Sequence, residues 1–145
     1  MRLTALRPKA LLVAAMTGAA LAATSASASA AQNWQTVTST PNMTCSAYKQ
    51  HKVSNNVNFK VCIVVNSNLD AQAVLVVQNN AGVAVSIGGE VATNFGSNVD
   101  CASSTLNPGF TRGCYSPTVH VGSGQTLIAD ARLRLNGVDE WWSAS

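Results

Sequence analysis

The chain has 145 residues, of which 47 % are hydrophobic and only 10 % are charged. Its formal net charge of +3 comes from Arg2, Arg7 and Lys9 near the amino terminus, because elsewhere bases and acids are equal in number. A neutral body lacks the positive field that collects phosphate backbones or anionic lipids, so nucleic-acid binding and electrostatic membrane docking are not expected.

The amino-terminal segment has the three-part layout of a secretory signal peptide. A basic start is followed by an apolar, alanine-rich run and then by alternating serine and alanine, which allows cleavage after Ala28 or Ala30. The apolar run is shorter than the roughly 20 residues of a membrane span, and no later run is long enough. The layout resembles the leaders of actinobacterial exported proteins. We expect residues 1–30 to be removed and residues 31–145 to form one extracellular domain.

The four cysteines of the chain form an even set in a small exported domain, which predicts two disulfide bonds. No Cys-x-x-Cys pair or Cys/His cluster typical of a zinc site is present. Three pairings are formally open, and the pattern favours neighbours, Cys45 with Cys62 and Cys101 with Cys114.

A hairpin centred on Val53 and Ser54 supports the first of these pairs. It places Cys45 directly opposite Cys62, and in the same register Tyr48 lies opposite Phe59 and Gln50 opposite Val57. One register therefore satisfies a covalent pair and an aromatic pair together.

Valine dominates the aliphatic residues of the expected domain, with sixteen valines against six leucines and three isoleucines. This composition favours strands, because β-branched side chains suit a pleated surface. Period-two alternation and the turn residues between the runs divide the chain into strands. The predicted strands up to the first strand of the last hairpin are Trp34–Thr40, Val57–Val65, Ala71–Gln78, Val83–Ile87, Glu90–Phe95, Thr118–Val121 and Leu127–Leu135.

Two turns define the remaining connections. Gly88-Gly89 is predicted to be a tight hairpin, and Asn136-Gly137 is the strongest turn signal in the chain. With short turns throughout, about eight or nine strands predict an all-β domain: a two-sheet antiparallel sandwich, Ig-like or jelly-roll-like. A small barrel is the alternative.

Signals for catalysis are weak, and we expect a non-catalytic protein without cofactor or metal. His51 is predicted to be a solvated turn residue, and His120 to point outward from a short strand. The sequence contains no phosphate-cradling loop, zinc-protease helix or calcium loop. A small ribonuclease-like hydrolase is an alternative, in which Glu90, Arg112 and His120 would meet on a sheet.

The segment from Cys101 to Cys114 has no strand pattern and carries a Pro-Gly turn. Closed by a disulfide, it would be a tethered loop that presents a peptide to an extracellular protein, as many exported protease inhibitors do. Arg112 would then enter a specificity pocket of a trypsin-like enzyme. The structural alternative is a surface connection stapled for stability alone. The candidate residues of this binding loop are Asn107, Phe110, Arg112 and Tyr115.

A second candidate surface lies in the last hairpin. The Asn136-Gly137 register pairs Arg134 with Asp139. It also pairs Arg132 with Trp141 on the outer face, which allows a cation–aromatic contact of about 0.5–1 kcal/mol. An outward tryptophan among amides and hydroxyls can stack on a sugar, so a glycan is an alternative partner. Alternation turns Trp142 and Glu140 toward the core, and for Glu140 this predicts a bulge or a frayed sheet end.

A structural wall or coat component is a further alternative. In that case exposed glutamines and lysines would be cross-linking sites outside the cell. The candidates for this are Gln32, Gln35 and Lys49.

Overall fold

A computed structural model describes residues 30–145, and these residues form ten β-strands in two antiparallel sheets with two disulfides. The predicted all-β sandwich is therefore confirmed. The predicted leader, apart from Ala30, lies outside the described residues. The strands are β1 (Met43–Cys45), β2 (Lys49–His51), β3 (Ser54–Val65), β4 (Asp70–Asn79), β5 (Val85–Thr93), β6 (Val99–Leu106), β7 (Thr111–Tyr115), β8 (Val119–His120), β9 (Ala129–Leu135) and β10 (Val138–Ala144).

The six-stranded sheet has the order β1-β3-β4-β7, with β2 also paired to β3 and β8 also paired to β4. The four-stranded sheet has the order β10-β9-β5-β6. The period-two pattern of β3 and β9 turns one face of each strand inward, so the apolar residues of both sheets form a shared core. Phe59, Leu75 and Leu133 are completely buried there.

A second, smaller apolar group lies on the outer face of the six-stranded sheet. Cys62, Val74 and Val76 form this outer cluster, and they are buried even though their strands turn the opposite face to the main core. Val37 and Tyr115 pack against the outer cluster. The segment before β1 therefore covers an apolar surface that would otherwise face water.

The first hairpin confirms the Cys45–Cys62 pair, which lies in register between β1 and β3. The predicted Tyr48–Phe59 and Gln50–Val57 pairs are wrong. Lys49 lies opposite Phe59 and Gln50 opposite Asn58, and the register then shifts between Gln50 and His51. An irregularity of this kind changes the pairing by a residue or more, and it is not visible in the polar sequence that surrounds it.

The predicted Gly88-Gly89 hairpin is also wrong, because β5 runs straight through both glycines. The backbone of β9 comes so close that a Cβ on Gly89 would lie 2.1 Å from the carbonyl oxygen of Arg132. Glycine is thus required here for a close backbone approach beside a bulge in the β5–β6 pairing, and not for a turn.

The segment from Cys101 to Cys114 is not an irregular loop. It consists of most of β6 and β7, which belong to different sheets, joined by a short tip at 107–110. The predicted Cys101–Cys114 bond is formed, and it connects the two layers. The segment is therefore a crossover between the two sheets. Its small and hydroxyl-bearing residues pair as strands despite their low hydrophobicity.

The predicted strand Trp34–Thr40 is wrong, since this part of the chain makes only isolated bridges. Gln32 bridges to Cys101 on β6, and Gln35 bridges to Gly113 on β7. Between them, the Trp34 indole donates a 2.7 Å hydrogen bond to the carbonyl of Ala102. The segment thus spans the gap between the two sheets at the edge where β6 lies beside β7.

Candidate functional site

The last hairpin places an aromatic residue and charged residues on the outer face of the four-stranded sheet. Asn136 and Gly137 adopt positive φ angles of 48° and 84°, as a two-residue hairpin requires. The resulting register pairs Trp141 with Arg132 and Asp139 with Arg134, as the sequence predicted.

Arg132 is held in place from both sides. One of its terminal nitrogens donates to Glu90 at 2.8 Å, and the other donates to Asp139 at 3.2 Å. Its guanidinium carbon lies 5.8 Å from the centre of the Trp141 ring, which confirms the predicted cation–aromatic contact. Charge-assisted bonds of this kind fix the orientation of a planar guanidinium.

Asp139 also joins the second arginine of β9. Arg134 donates to both oxygens of Asp139, at 2.8 and 3.1 Å. The hydrogen bond from Arg134 lowers the pKa of the Asp139 carboxyl, and the nearby charge of Arg132 acts in the same direction against the opposing effect of burial. The Asp139 carboxylate is therefore ionised and paired, which suits binding better than proton transfer.

These residues form one continuous surface, which we call the Trp141 platform. Trp141 is its aromatic member, and 48 % of the residue is accessible to solvent. On β5, the same face carries only Gly88 and Ala92 on either side of Glu90, so no bulky side chain of this strand rises beside the platform. The members of the platform are Glu90, Arg132, Arg134, Asp139 and Trp141.

The structure places the residues of the predicted binding loop in different surroundings. Phe110, at the tip, is 44 % exposed. The guanidinium of Arg112 lies over the Phe110 ring at 4.8 Å and donates a 2.9 Å bond to the carbonyl of Thr111. Arg112 is also half-buried within β7, where it pairs with Val77. To enter a protease pocket, Arg112 would have to give up these contacts.

Asn107, Phe110 and Arg112 do share a cleft, together with Trp34. Its volume of about 110 Å³ is below the 300 Å³ or more that is typical of small-molecule sites. Tyr115 is not part of that cleft. It borders a wider groove of about 500 Å³, where glutamines, including Gln35 and Gln72, form half of the lining.

The three residues of the hydrolase alternative are spread over both sheets. Glu90 lies on β5 and is bonded to Arg132, whereas Arg112 and His120 lie on β7 and β8 of the other sheet. His120 is exposed, as predicted, and its Nδ1 lies 3.4 Å from an Asp70 oxygen. Within residues 30–145, no group of three or more His, Cys, Asp or Glu side chains is arranged to hold a metal ion.

His51 is the clearest error of the sequence prediction, because it is only 1 % exposed. Its Nδ1 accepts the N–H of Val53 at 3.3 Å, so Nε2 carries the proton and donates to the carbonyl of Leu133 at 3.2 Å. Glu140, which was expected to distort the sheet, instead accepts the N–H of Lys52 at 2.6 Å and pairs with Lys49 at 3.1 Å. These hydrogen bonds and the ion pair thus join the β2–β3 hairpin to β9 and β10.

The sequence predicted the Arg132–Trp141 and Arg134–Asp139 pairs, but it did not connect Glu90 with Arg132. Both predicted pairs lie within one short hairpin, whereas Glu90 reaches Arg132 through the non-local pairing of β5 with β9. No local sequence signal carries that information.

No protein-family model, curated protein or solved structure matches the chain. Among the described residues, no helix is long and apolar enough to cross a membrane. Function is therefore inferred from the geometry of this chain alone.

Proposed function

We propose that this is a secreted, non-catalytic binding protein that recognises a neutral saccharide through the Trp141 platform. The observation that carries the proposal is the half-exposed Trp141 indole beside the fixed guanidinium of Arg132. A sugar ring has an apolar C–H face and a rim of hydroxyls. The indole offers a flat apolar surface for the first, and the ionised side chains offer donors and acceptors for the second.

The ion pairs make the platform ready to bind. Arg132 bridges Glu90 and Asp139, so these three side chains have already lost most of their rotamer freedom before a ligand arrives. A prepared surface loses less entropy on binding. The carboxylates retain lone pairs that are not used by the arginines and that can accept sugar hydroxyls.

Charge favours a neutral ligand over a polyanion. The expected mature domain has equal numbers of acidic and basic residues, and within the platform both arginines are paired with carboxylates. A sulfated or phosphorylated polymer would therefore meet no field that attracts it. An uncharged polysaccharide needs no such field, because stacking and hydroxyl hydrogen bonds suffice.

The test is retention of the purified protein on insoluble chitin, cellulose and other neutral polysaccharides. We expect Trp141→Ala to lower retention at least about fivefold, because stacking on an aromatic ring is worth about 1 kcal/mol or more, with an unchanged melting temperature. Tyr48→Ala is the matched control, since Tyr48 is also exposed beside a cation, Lys60, but lies between β1 and β2 of the other sheet. A wild-type protein that no neutral polysaccharide retains would overturn the proposal.

A second candidate function is contact with an extracellular protease through the 107–110 tip. It is favoured by the exposure of Phe110 on a crossover that the Cys101–Cys114 bond anchors at both ends. Phe110→Ala should then weaken inhibition of a chymotrypsin-like protease, and Arg112→Ala should weaken inhibition of a trypsin-like one. If the wild-type protein inhibits neither enzyme, this candidate is excluded.

A further inference from the structure

The edges of the two sheets are protected to different degrees. On the side of the sandwich where β6 and β7 lie together, the amino-terminal segment makes backbone hydrogen bonds to both strands. Gln32 exchanges two 2.8 Å backbone hydrogen bonds with β6, and Gln35 exchanges two of the same length with Gly113 on β7. The backbone groups of these two strands are thus partly covered, which is one way in which proteins prevent edge pairing.

On the opposite side of the six-stranded sheet, the edge is short and irregular. β1 and β2 contribute three residues each, and the pairing of β2 is interrupted between Gln50 and His51. Short and bulged edge strands are poor templates for another strand.

β10 has neither form of protection. It is seven residues long, pairs with β9 without a register shift, and has no neighbour on its other side among residues 30–145. In a two-residue hairpin the residues that flank the turn, here Leu135 and Val138, form a hydrogen-bonded pair, and the pattern alternates from there. The backbone groups of Asp139, Trp141 and Ser143 consequently point outward, away from β9.

We propose that two copies of the protein associate by pairing their β10 strands antiparallel, around a twofold axis at Trp141. Trp141 then lies opposite Trp141 of the second copy, and Asp139 lies opposite Ser143 of the second copy. Each of these pairs exchanges two backbone hydrogen bonds. The two four-stranded sheets become one continuous sheet.

Self-complementarity is the reason for choosing a second copy as the partner. This register uses every outward-pointing backbone group of β10, and a slip of two residues in either direction leaves some of them unpaired. On the outer face it sets an indole against an indole and a carboxylate against a hydroxyl, so no like charges are directly opposed. A closed twofold contact of this type is the commonest form of homo-oligomer.

The dimer also has a consequence for the surface described above. Both Trp141 side chains lie on the same outer face, so the two platforms become adjacent halves of one wider surface. The association itself does not depend on what that surface binds, because it is measured without any saccharide.

The test compares Ser143→Pro with Ser143→Ala by sedimentation equilibrium over a wide range of protein concentration. Proline removes the outward N–H without affecting the β9 ladder, whereas alanine retains it. We expect the wild type and Ser143→Ala to dimerise alike. Ser143→Pro should raise the dimer dissociation constant at least about tenfold, equivalent to about 1.4 kcal/mol.

Amide hydrogen exchange provides a second measurement that does not depend on a variant. Exchange at Asp139, Trp141 and Ser143 should slow as the protein concentration rises, whereas exchange at Glu140 and Trp142, whose amides face β9, should be slow throughout. A wild type that remains monomeric at millimolar concentration overturns the proposal. A dimer that Ser143→Pro leaves intact, or whose protected amides lie elsewhere, also overturns it.

Discussion

Cys101 lies on the four-stranded sheet and Cys114 on the six-stranded sheet, so the bond between them is a covalent link from one layer of the sandwich to the other. The bond between Cys45 and Cys62 differs, because it joins neighbouring strands of a single sheet. The two bonds close segments of similar length, with sequence separations of 13 and 17 residues. In the chain-entropy model they therefore contribute similarly to stability, while constraining different motions.

Replacing both Cys101 and Cys114 with serine should lower the free energy of unfolding by about 3 kcal/mol. Because the link between layers is lost, amide exchange should accelerate at Gln35 and Gly113, where the amino-terminal segment bridges to β7. The matched variant with Cys45 and Cys62 replaced should be destabilised by a similar amount, but without faster exchange at Gly113. Identical exchange maps for the two variants would contradict this assignment.

Trp34 should be important for stability, although it lies outside every strand. Its indole packs against the main core and donates a hydrogen bond to the carbonyl of Ala102. We expect Trp34→Ala to lower the free energy of unfolding by about 3 kcal/mol. Trp34→Phe retains an aromatic ring, although a smaller one, and loses the hydrogen bond, so its loss should be smaller, about 1–2 kcal/mol. Urea denaturation measures both, and equal losses would show that the packing of the ring contributes little.

Gly88 and Gly89 should differ sharply in their tolerance of a side chain. A Cβ on Gly89 would overlap the carbonyl oxygen of Arg132, whereas a Cβ on Gly88 has no atom nearer than 3.7 Å. Gly89→Ala should destabilise the protein by about 3 kcal/mol or prevent folding. Gly88→Ala should change stability by about 0.5 kcal/mol or less. Thermal denaturation of the two variants side by side provides the comparison, and equal tolerance would be inconsistent with the close approach of β5 and β9.

Glu140 should make stability depend on pH in the acidic range. Burial raises the pKa of its carboxyl, but the hydrogen bond from the Lys52 N–H and the ammonium of Lys49 together keep that pKa below its ordinary value of 4.5. A depressed pKa gives stability that is present above the unfolded-state value and is lost as the pH falls through the folded-state value.

We therefore expect Glu140→Gln to be less stable than the wild type by about 1 kcal/mol at neutral pH. The difference should begin to diminish as the pH falls below about 4.5, where the unfolded chain takes up a proton, and it should be lost once the pH falls below the lower pKa of the folded carboxyl. Lys49→Met removes only the side-chain partner and retains the backbone hydrogen bond, so its effect at neutral pH should be smaller. Denaturation curves from pH 3 to pH 8 would measure this, and a difference that is constant over that range would rule out the assigned role.

Local signals in the sequence were sufficient for those parts of the fold in which the partners are close along the chain. The Asn136-Gly137 turn fixed the β9–β10 register, which in turn placed Trp141 beside Arg132. The opposed cysteines similarly located the pairing of β1 with β3. In each case a single turn or covalent bond defines the alignment of its flanking strands.

The errors have a common physical origin in remote contacts. The local sequence signal at Gly89 is the same whether the glycine forms a turn or allows another strand to approach closely. Only the remote carbonyl of Arg132 distinguishes the two cases. His51 was expected to be solvated because its neighbours in the sequence are polar, yet the remote carbonyl of Leu133 accepts a hydrogen bond from its ring and makes its burial favourable. Gln32 and Gln35 showed no sign in the sequence that they bridge two sheets.

The two crosslinks also determine how the protein would respond to mechanical tension. A force applied to the ends of the chain extends only what lies outside the bonded segments, because the residues between Cys45 and Cys62 and between Cys101 and Cys114 are bypassed. At about 3.5 Å per residue, roughly 100 Å of contour length would remain hidden until a reductant is added. The oxidised protein would thus extend less far than the reduced protein, and the redox state of its surroundings would set its maximum reach.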